Sequence, residues 1–132
     1  MIPLYIGSTS GYSGKSLVSM GLANKFMSDG LKVGYMKPVG ILPVKVNDIL
    51  TDKDAWCIYR FLKLTDKLED ICPVVLTQEI MYKGFLKEQK NLMKKITESF
   101  KRLSVDKDIL VLGGYGSIYT GSVNNVEGIK VI

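Results

Sequence analysis

Apolar positions in the first part of the chain change from a strand-like run to a helix-like spacing. Residues 2–6 form a short β-rich apolar run, and residues 7–14 are rich in glycine and serine. From Lys15 onward apolar residues recur at helical spacing until Gly30, a typical helix stop. A second strand is predicted over residues 32–37, so this part of the chain is predicted to form a parallel βαβ unit. The helix face predicted to pack inward comprises Leu17, Met20, Ala23, Asn24 and Met27.

The rest of the pattern predicts two more helices and further strands. Residues 52–64 have helical spacing, and residues 72–76 form a short extended piece. Residues 84–103 show the strongest helical pattern of the chain. Residues 108–112 are almost continuously apolar, which is typical of a strand buried on both faces, and residues 129–132 look like the start of another strand. The apolar stripe of the long predicted helix comprises Gln89, Met93, Ile96, Phe100 and Leu103.

The order of these elements predicts an α/β fold with a mostly parallel sheet flanked by helices. A length of 132 residues suits a single domain, 1–132. Hydrophobic residues make up 46% of the chain and charged residues 23%, an ordinary globular mixture. No apolar segment approaches the roughly 20 residues that span a bilayer, and no signal-peptide core precedes the first strand. A cytoplasmic protein without a membrane partner is therefore expected.

The absence of histidine restricts the chemistry that the chain can perform. It excludes Ser-His-Asp and Cys-His catalysis together with histidine metal sites. The net charge of +5 raises the question of a nucleic-acid partner. Much of the excess lies in residues 87–102, where it is typical of a solvated helix face, and no basic cluster interleaves with aromatic residues. We therefore expect no nucleic-acid partner.

The tripeptide Gly14-Lys15-Ser16 carries the strongest chemical signal because it lies between a predicted strand and a predicted helix. Small residues let backbone N–H groups curl around phosphates, and the helix N-terminus adds partial positive charge. Lys15 can reach the β- and γ-phosphates of a nucleoside triphosphate such as ATP, and the Ser16 hydroxyl can ligate Mg²⁺. The strict pattern has glycine where this chain has Thr9, and the alternative is an ordinary turn that caps a helix. The predicted nucleotide-binding residues of this P-loop NTPase-like fold are Gly11, Tyr12, Ser13, Gly14, Lys15 and Ser16.

Further polar residues are candidates because of their position relative to the predicted strands. Lys37 ends the second strand, on the edge where open α/β sheets bind ligands, and could stabilise a transferring phosphoryl group. A Mg-nucleotide site usually includes a carboxylate. Asp52 and Asp54 are the candidates, although both also suit the N-terminus of a helix. Position 113, just past the apolar strand, is Gly113 and provides no acid.

Taken together, these motifs resemble the dethiobiotin synthetase-like branch of P-loop proteins. That branch includes dethiobiotin synthetase, the cobyrinic acid a,c-diamide synthases and the N-terminal domain associated with some phosphate acetyltransferases. The phosphate-loop phrase and the phrase at 72–77 look closest to the acetyltransferase-associated domains. The residues that carry the resemblance are Ser8-Thr9-Ser10-Gly11-Tyr12-Ser13-Gly14-Lys15-Ser16, Gly34-Tyr35-Met36-Lys37-Pro38-Val39, Asp52-Lys53-Asp54-Ala55 and Cys72-Pro73-Val74-Val75-Leu76-Thr77.

The resemblance implies roles for four side chains. Lys15 and Ser16 correspond to the phosphate and Mg²⁺ ligands, Lys37 to a lysine that faces the γ-phosphate and substrate, and Asp54 to the carboxylate near the metal. Lys15 and Lys37 are the implied catalytic residues, and Ser16 and Asp54 the implied metal ligands. In the synthetases the γ-phosphate activates a carboxylate or carbamate, a reaction governed by positioning and charge neutralisation.

Two departures from the family pattern bear on function. The family's strand at 109–112 ordinarily ends in Glu-Gly, whereas this chain has Leu112-Gly113-Gly114. The chain also stops before the later strands of its relatives, so we expect a sheet truncated at the C-terminus and an incomplete domain. These departures favour a regulatory or scaffolding nucleotide-binding domain with a homodimer mate or a partner enzyme domain. The alternatives are an ATP-dependent ligase and a ParA-like dimerising ATPase. ParA-like loops usually carry a second lysine early in the loop, and residues 8–13 contain no lysine.

Overall fold

The strand, loop, helix, strand order at the start of the chain is present in the computed structural model, which describes residues 1–88 and 91–131. The predicted helix starting at Lys15 and the strands at 2–6 and 32–37 are confirmed. The strands are β1 Ile2–Ile6, β2 Val33–Met36, β3 Val39–Gly40, β4 Pro43–Val46, β5 Ile49–Asp52, β6 Val74–Val75 and β7 Ile109–Gly113. The helices are α1 Lys15–Ser28, α2 Lys53–Phe61, α3 Leu68–Ile71, α4 Gln78–Phe85, α5 Leu92–Leu103 and α6 Gly128–Val131, with a 3-10 turn at Ser122–Asn124.

A parallel sheet with the order β1-β7-β2 forms the centre of the fold. Strand β7 pairs with β1 through Leu4 opposite Val111 and with β2 through Tyr35 opposite Val111. Leu110 and Val111 are fully buried, as expected for the apolar run of a strand covered on both faces. Helix α1 packs against β7 and β2, and α5 packs against β2. The predicted α/β fold, a parallel central sheet flanked by helices, is confirmed and is consistent with a P-loop NTPase fold.

The segment between β2 and α2 contains a hairpin that the sequence analysis did not predict. Strands β4 and β5 pair antiparallel around Asn47 and Asp48, whose φ angles are 48° and 64°. Asparagine and aspartate are among the residues that tolerate this left-handed conformation in tight hairpin turns. Asp52 then ends β5 and caps α2 by accepting hydrogen bonds from the backbone N–H groups of Asp54 and Ala55. The helix predicted at 52–64 is thus present but shorter, because it spans Lys53–Phe61.

Buried side chains from the sheet and from helices α1, α2, α3 and α5 form one hydrophobic cluster. The extended piece predicted at 72–76 contributes β6, which pairs in parallel with β3 rather than with the central sheet. Among the largest fully buried side chains are Tyr35, Met36, Ile58, Ile71 and Leu103.

The inward face predicted for α1 is only partly correct. Ala23 is fully buried, and so is Ser19, which was not predicted. Leu17 and Met27 are 74% and 40% exposed, and Asn24 is also exposed. Met20 of the predicted face is half-buried and packs against the core. The small side chains lie at the closest contact because they let the helix approach the sheet, whereas Leu17 and Met27 lie on the outside.

The helix predicted at 84–103 is confirmed over Leu92–Leu103 but is wrong as one continuous helix, because α4 ends near its predicted start. Helix α4 ends at Phe85, and Lys87 follows with a left-handed φ of 55°. Helix α5 begins after Asn91, which has a φ of 70°. These left-handed residues interrupt the helical ladder. Ile96 and Leu103 of the predicted stripe are buried, Met93 and Phe100 are half-buried, and Gln89 lies outside the described residues.

The strand predicted at 129–132 is also wrong for the part that the structure describes. Residues Gly128–Val131 form the short helix α6, and Ile132 lies outside the described residues. The turn is supported by an ion pair of 3.1 Å between Lys130 Nζ and Glu127 Oε1. A run of a few β-branched residues does not by itself distinguish a strand from a helical turn. Over residues 1–88 and 91–131, no helix combines the length and apolar character needed to cross a membrane.

Candidate functional site

The loop between β1 and α1 wraps around an open space at the N-terminus of the helix. Two left-handed residues shape it, Tyr12 with a φ of 53° and Gly14 with a φ of 83°. Glycine suits the second position because its backbone adopts this conformation without a Cβ penalty. No side chain in the described part of the chain caps α1, and no acid lies in its first turn. The positive end of the helix therefore remains available to an anion.

The ammonium group of Lys15 lies inside this loop and binds its oxygens. It donates to Ser8 Oγ at 2.8 Å, to the carbonyl oxygen of Ser10 at 3.1 Å and to Ser13 Oγ at 3.3 Å. It also donates to the carbonyl oxygen of Gly116 at 2.9 Å, in the turn after β7. Lys15 thus connects the loop to the carboxyl end of the central strand.

Ser16, Asp54 and Lys37 form a hydrogen-bonded chain beside the loop. Ser16 Oγ donates to Asp54 Oδ2 at 3.2 Å, and Lys37 Nζ is 3.4 Å from the same oxygen. Asp54 lies in the first turn of α2, and its side chain is 40% exposed. Lys37 follows the last residue of β2 and is only 3% exposed. Two oxygen ligands and one buried cation therefore meet where α1 and α2 begin and β2 ends.

The Asp52 carboxylate is the part of this arrangement for which sequence reasoning left the role open. It is fully buried and lies 2.8 Å from Lys37 Nζ. Burial would raise the pKa of Asp52, but the charge of Lys37 and hydrogen bonds from Lys37, Leu42 and Ala55 outweigh burial and lower it. Asp52 is therefore a structural anion behind Lys37, and the signal for it was its position just before a helix.

Two positive side chains face the same space. Partial burial lowers the pKa of Lys15, and the positive charge of Lys37 lowers it further, while Asp54 acts in the opposite direction. Mutual repulsion of this kind is relieved when an anion binds between the cations. The electrostatics of the site therefore favour an anionic ligand.

A cavity of about 260 Å³ brings the sequence-predicted residues together. This volume is below the roughly 300–1,000 Å³ of pockets that enclose whole ligands. The cavity therefore suits a chain of phosphates better than a complete nucleotide. Its lining comprises Gly11, Tyr12, Ser13, Gly14, Lys15, Ser16, Lys37, Ile41, Leu42, Asp54, Gly114, Tyr115 and Gly116.

The carboxyl end of β7 reaches this cavity without contributing an acid. A side chain at Gly113 would collide with the hydroxyl of Tyr35, which occupies the space that a Cβ would need. Burial, followed by nearby negative charges, raises the pKa of Tyr35 well above its usual value, so its phenol is neutral. The neutral hydroxyl of Tyr35 from β2 therefore lies beside Gly113, where the family pattern has an acid.

The residues present fit a magnesium–nucleotide complex in their chemistry. The loop, Lys15 and the helix N-terminus are suited to phosphates, and the oxygens of Ser16 and Asp54 are ligands of the hard type that Mg²⁺ prefers. The described part of the chain has no group of three or more histidine, cysteine or acidic residues that could hold a metal by themselves. A metal here would need phosphate and water ligands as well, which is usual for Mg²⁺.

Comparisons with known proteins agree with this arrangement. A family model described as an AAA domain matches residues 3–129. The ATP-dependent dethiobiotin synthetase BioD of Thermodesulfovibrio yellowstonii is 25% identical over 116 residues, which cover 86% of this chain and 48% of that protein. The chain thus spans about half the length of this curated relative. It therefore belongs to the AAA domain family, among the P-loop proteins of the dethiobiotin synthetase-like type.

Proposed function

We propose that this chain binds Mg-ATP at the cavity between the β1–α1 loop and the N-terminus of α2. The observation that carries the proposal is the convergence of Lys15, Ser16, Lys37 and Asp54 on one cavity. Two cations, a hydroxyl and a carboxylate are the set that a triphosphate and its metal require. The similarity to an ATP-dependent enzyme supports ATP as the nucleotide.

Lys15 supports the proposal through the partners that it holds. Each of its acceptors is a neutral oxygen of the loop or of the turn after β7. Charged phosphate oxygens form stronger hydrogen bonds with an ammonium group than neutral oxygens do. A triphosphate would therefore compete successfully for Lys15.

The Mg²⁺ part of the proposal depends on Ser16 and Asp54. Both present oxygens toward the cavity, and they are already within 3.2 Å of each other. When bound, Mg²⁺ would neutralise phosphate charge. Ser16 and Asp54 would hold the metal, while Lys15 and Lys37 would orient and neutralise the phosphates.

We favour a regulatory or scaffolding role for the bound nucleotide over rapid turnover. The described residues at the end of β7 provide no carboxylate, and the neutral phenol of Tyr35 fills the space beside Gly113. The likeness of the loop and of residues 72–77 to acetyltransferase-associated domains supports the same role. The proposal includes a single domain, 1–132, that acts with a second copy or with a partner enzyme domain.

The alternative is an ATP-dependent ligase that activates a carboxylate or carbamate. Lys37 favours it, because a buried cation on the cavity wall is suited to a transferring phosphoryl group. The activity in the name of the curated relative favours it as well. A carboxylate in addition to Asp54 would then have to come from elsewhere, for example from a second copy. No observation favours the ParA-like alternative.

The proposal predicts that Lys15→Ala weakens Mg-ATP binding by about a hundredfold, the size of a lost charge-assisted hydrogen-bond set. Calorimetric titration measures the affinity, and phosphate release is followed on the same samples. Lys25→Ala is the matched control, because Lys25 lies on the same helix, is 67% exposed and pairs with Asp29 outside the cavity.

The outcomes of this experiment separate the two functions. Lys15-dependent binding without phosphate release supports a regulatory or scaffolding domain. Binding with Lys15-dependent turnover supports the ligase. A folded wild-type protein that binds no Mg-ATP would contradict the proposal and leave residues 11–16 as a structural turn.

A further inference from the structure

The Asp52 carboxylate has more hydrogen-bond donors around it than a helix cap needs. Its side chain is fully buried at the junction of β5 and α2. One oxygen serves the helix N-terminus and Lys37, and the other serves the backbone after β3. The five donors are Lys37 Nζ at 2.8 Å, Asp54 N at 2.9 Å, Ala55 N at 3.0 Å, Ile41 N at 2.9 Å and Leu42 N at 2.9 Å.

These donors belong to three separate segments that form the wall of the cavity. Lys37 follows β2, Ile41 and Leu42 follow β3, and Asp54 lies in the first turn of α2. All four of these residues line the cavity that contains the phosphate loop. Asp52 itself does not line it. The carboxylate therefore holds the wall together from behind, without contacting the space that a ligand would occupy.

The two neighbouring carboxylates divide the work of balancing Lys37. Asp54 Oδ2 is shared between Ser16 and Lys37. The distance from Lys37 Nζ to Asp54 Oδ2 is 3.4 Å, which is longer than its 2.8 Å distance to Asp52 Oδ1. If Asp54 turns toward a metal, Asp52 remains as the anion that pairs with the Lys37 ammonium. Without such a partner, the buried Lys37 ammonium would no longer be held in its position.

We propose that Asp52 is a positioning residue that keeps the Lys37 ammonium aimed into the cavity, and that it thereby sets the preference for ATP over ADP. The inference rests on the proposed function, because it assigns Lys37 to the terminal phosphate. Asp52 acts through Lys37, whereas the loop and Lys15 bind the phosphates that both nucleotides share.

The test compares Mg-ATP and Mg-ADP affinities by calorimetry in the wild type and in Asp52→Asn. We expect Asp52→Asn to lower the ATP-over-ADP preference by about tenfold, the effect of losing one charge-assisted hydrogen bond. Asp70→Asn is the matched control. Asp70 is a second buried carboxylate. It lies outside the cavity and pairs with Arg102 at a distance of 2.7 Å, so its loss should leave the nucleotide preference unchanged.

A double-mutant cycle with Lys37→Met distinguishes positioning from a general loss of structure. In the Lys37→Met background, Asp52→Asn should cause no further loss of preference, because the group through which it acts is gone. A loss of equal size in both backgrounds would overturn the inference. So would an unchanged preference in folded Asp52→Asn.

Two further measurements keep the inference testable if Asp52→Asn folds poorly. Asp52→Ser keeps a helix-capping oxygen while it removes the charge beside Lys37, and it should show the same loss of preference. Lys37→Met alone should show that loss too, and an unchanged preference there would overturn the inference without any variant at Asp52. Failure of the wild type to bind either nucleotide would instead contradict the proposed function itself, and this inference with it.

Discussion

At the scale of single residues, two glycines of the phosphate loop have different reasons to be glycine. Gly14 has a left-handed φ of 83°, so an alanine there would be strained whatever space surrounds it. Gly11 has no left-handed φ, and a Cβ added to it would meet nothing within 4 Å. The fold therefore requires Gly14, whereas Gly11 leaves a space that only a ligand would use.

This difference predicts opposite results for two alanine substitutions. Gly14→Ala should lower the free energy of unfolding by about 1 kcal/mol, the cost of a left-handed non-glycine residue, and should weaken nucleotide binding. Gly11→Ala should leave the free energy of unfolding unchanged and weaken only binding, because its methyl group would occupy the phosphate cradle. Urea unfolding and calorimetry on both variants measure these effects. Equal stability losses, or full binding by Gly11→Ala, would contradict the assignment.

The separation of Asp52 from Asp54 is the residue-level feature that sequence alone could not resolve. Both acids lie at the start of the helix predicted at 52–64, so both fit an N-terminal position in its charge pattern. Their difference depends on β5, which places Asp52 in the interior at 0% exposure and leaves the Asp54 side chain 40% exposed. Because the hairpin that includes β5 was not predicted, the direction of these side chains was not predictable either.

At the scale of elements, predictions succeeded where the hydrophobic pattern was strong and failed where turn geometry decided. Strand β7 was predictable because its apolar run is continuous, and α1 because Gly30 closes a periodic segment. The hairpin at Asn47 and Asp48 lacks the glycine that usually marks such turns. The break between α4 and α5 has no proline to mark it either. The start of α4 is marked, because the Thr77 side chain caps the helix by accepting a hydrogen bond from Ile80 N.

Helices α3 and α5 are joined by a polar contact that should make stability depend on pH. Burial would raise the pKa of Asp70, but hydrogen bonds from Arg102 and Ser99 and the charges of Arg102 and Lys67 outweigh burial and lower it. A carboxylate whose pKa is lower in the folded state stabilises the protein when ionised. That contribution is complete above the ordinary value of 3.8 and is lost as the pH falls through the lower folded-state value.

We therefore predict that the free energy of unfolding decreases as the pH falls below about 4, and that Asp70→Asn makes this decrease shallower. The mutant should already be less stable than the wild type at neutral pH, because Arg102 and Ser99 lose a charged acceptor. Urea unfolding at a series of pH values provides the measurement. Parallel pH profiles for the two proteins would show that the Asp70 contact contributes nothing to acid sensitivity.

At the scale of the whole molecule, the candidate site is built at one edge of the central sheet. Strands β1, β2 and β7 are parallel, so their carboxyl ends meet at that edge. The phosphate loop follows β1, Lys37 follows β2, and Gly114 to Gly116 follow β7, all on the cavity. The sequence predicts that these loops lie at one edge, because alternating strands and helices favour a parallel sheet. It could not predict Ile41 and Leu42 on the wall, because their position depends on the hairpin.

Because the cavity joins these segments, ligand binding should stabilise the chain as a unit. At a Mg-ATP concentration about 100 times the dissociation constant, the folded state should gain about 2.7 kcal/mol. For a chain of this size that gain raises the melting temperature on the order of 10 °C. Trp56 is the single tryptophan, and it stacks on Tyr59 within α2, with ring centroids 5.5 Å apart, so its fluorescence reports on that helix.

We predict that the thermal unfolding transitions followed by Trp56 fluorescence and by far-UV circular dichroism coincide. Mg-ATP should raise the midpoint temperature of both transitions by the same amount. Lys15→Ala should remove most of both shifts together while the transitions continue to coincide. The physical reason is the shared core: Ile58 of α2, Leu110 of β7 and Leu103 of α5 belong to one buried cluster, so α2 should not unfold separately from the sheet. A shift confined to the fluorescence signal would instead mean that the nucleotide stabilises α2 and the phosphate loop as a local unit.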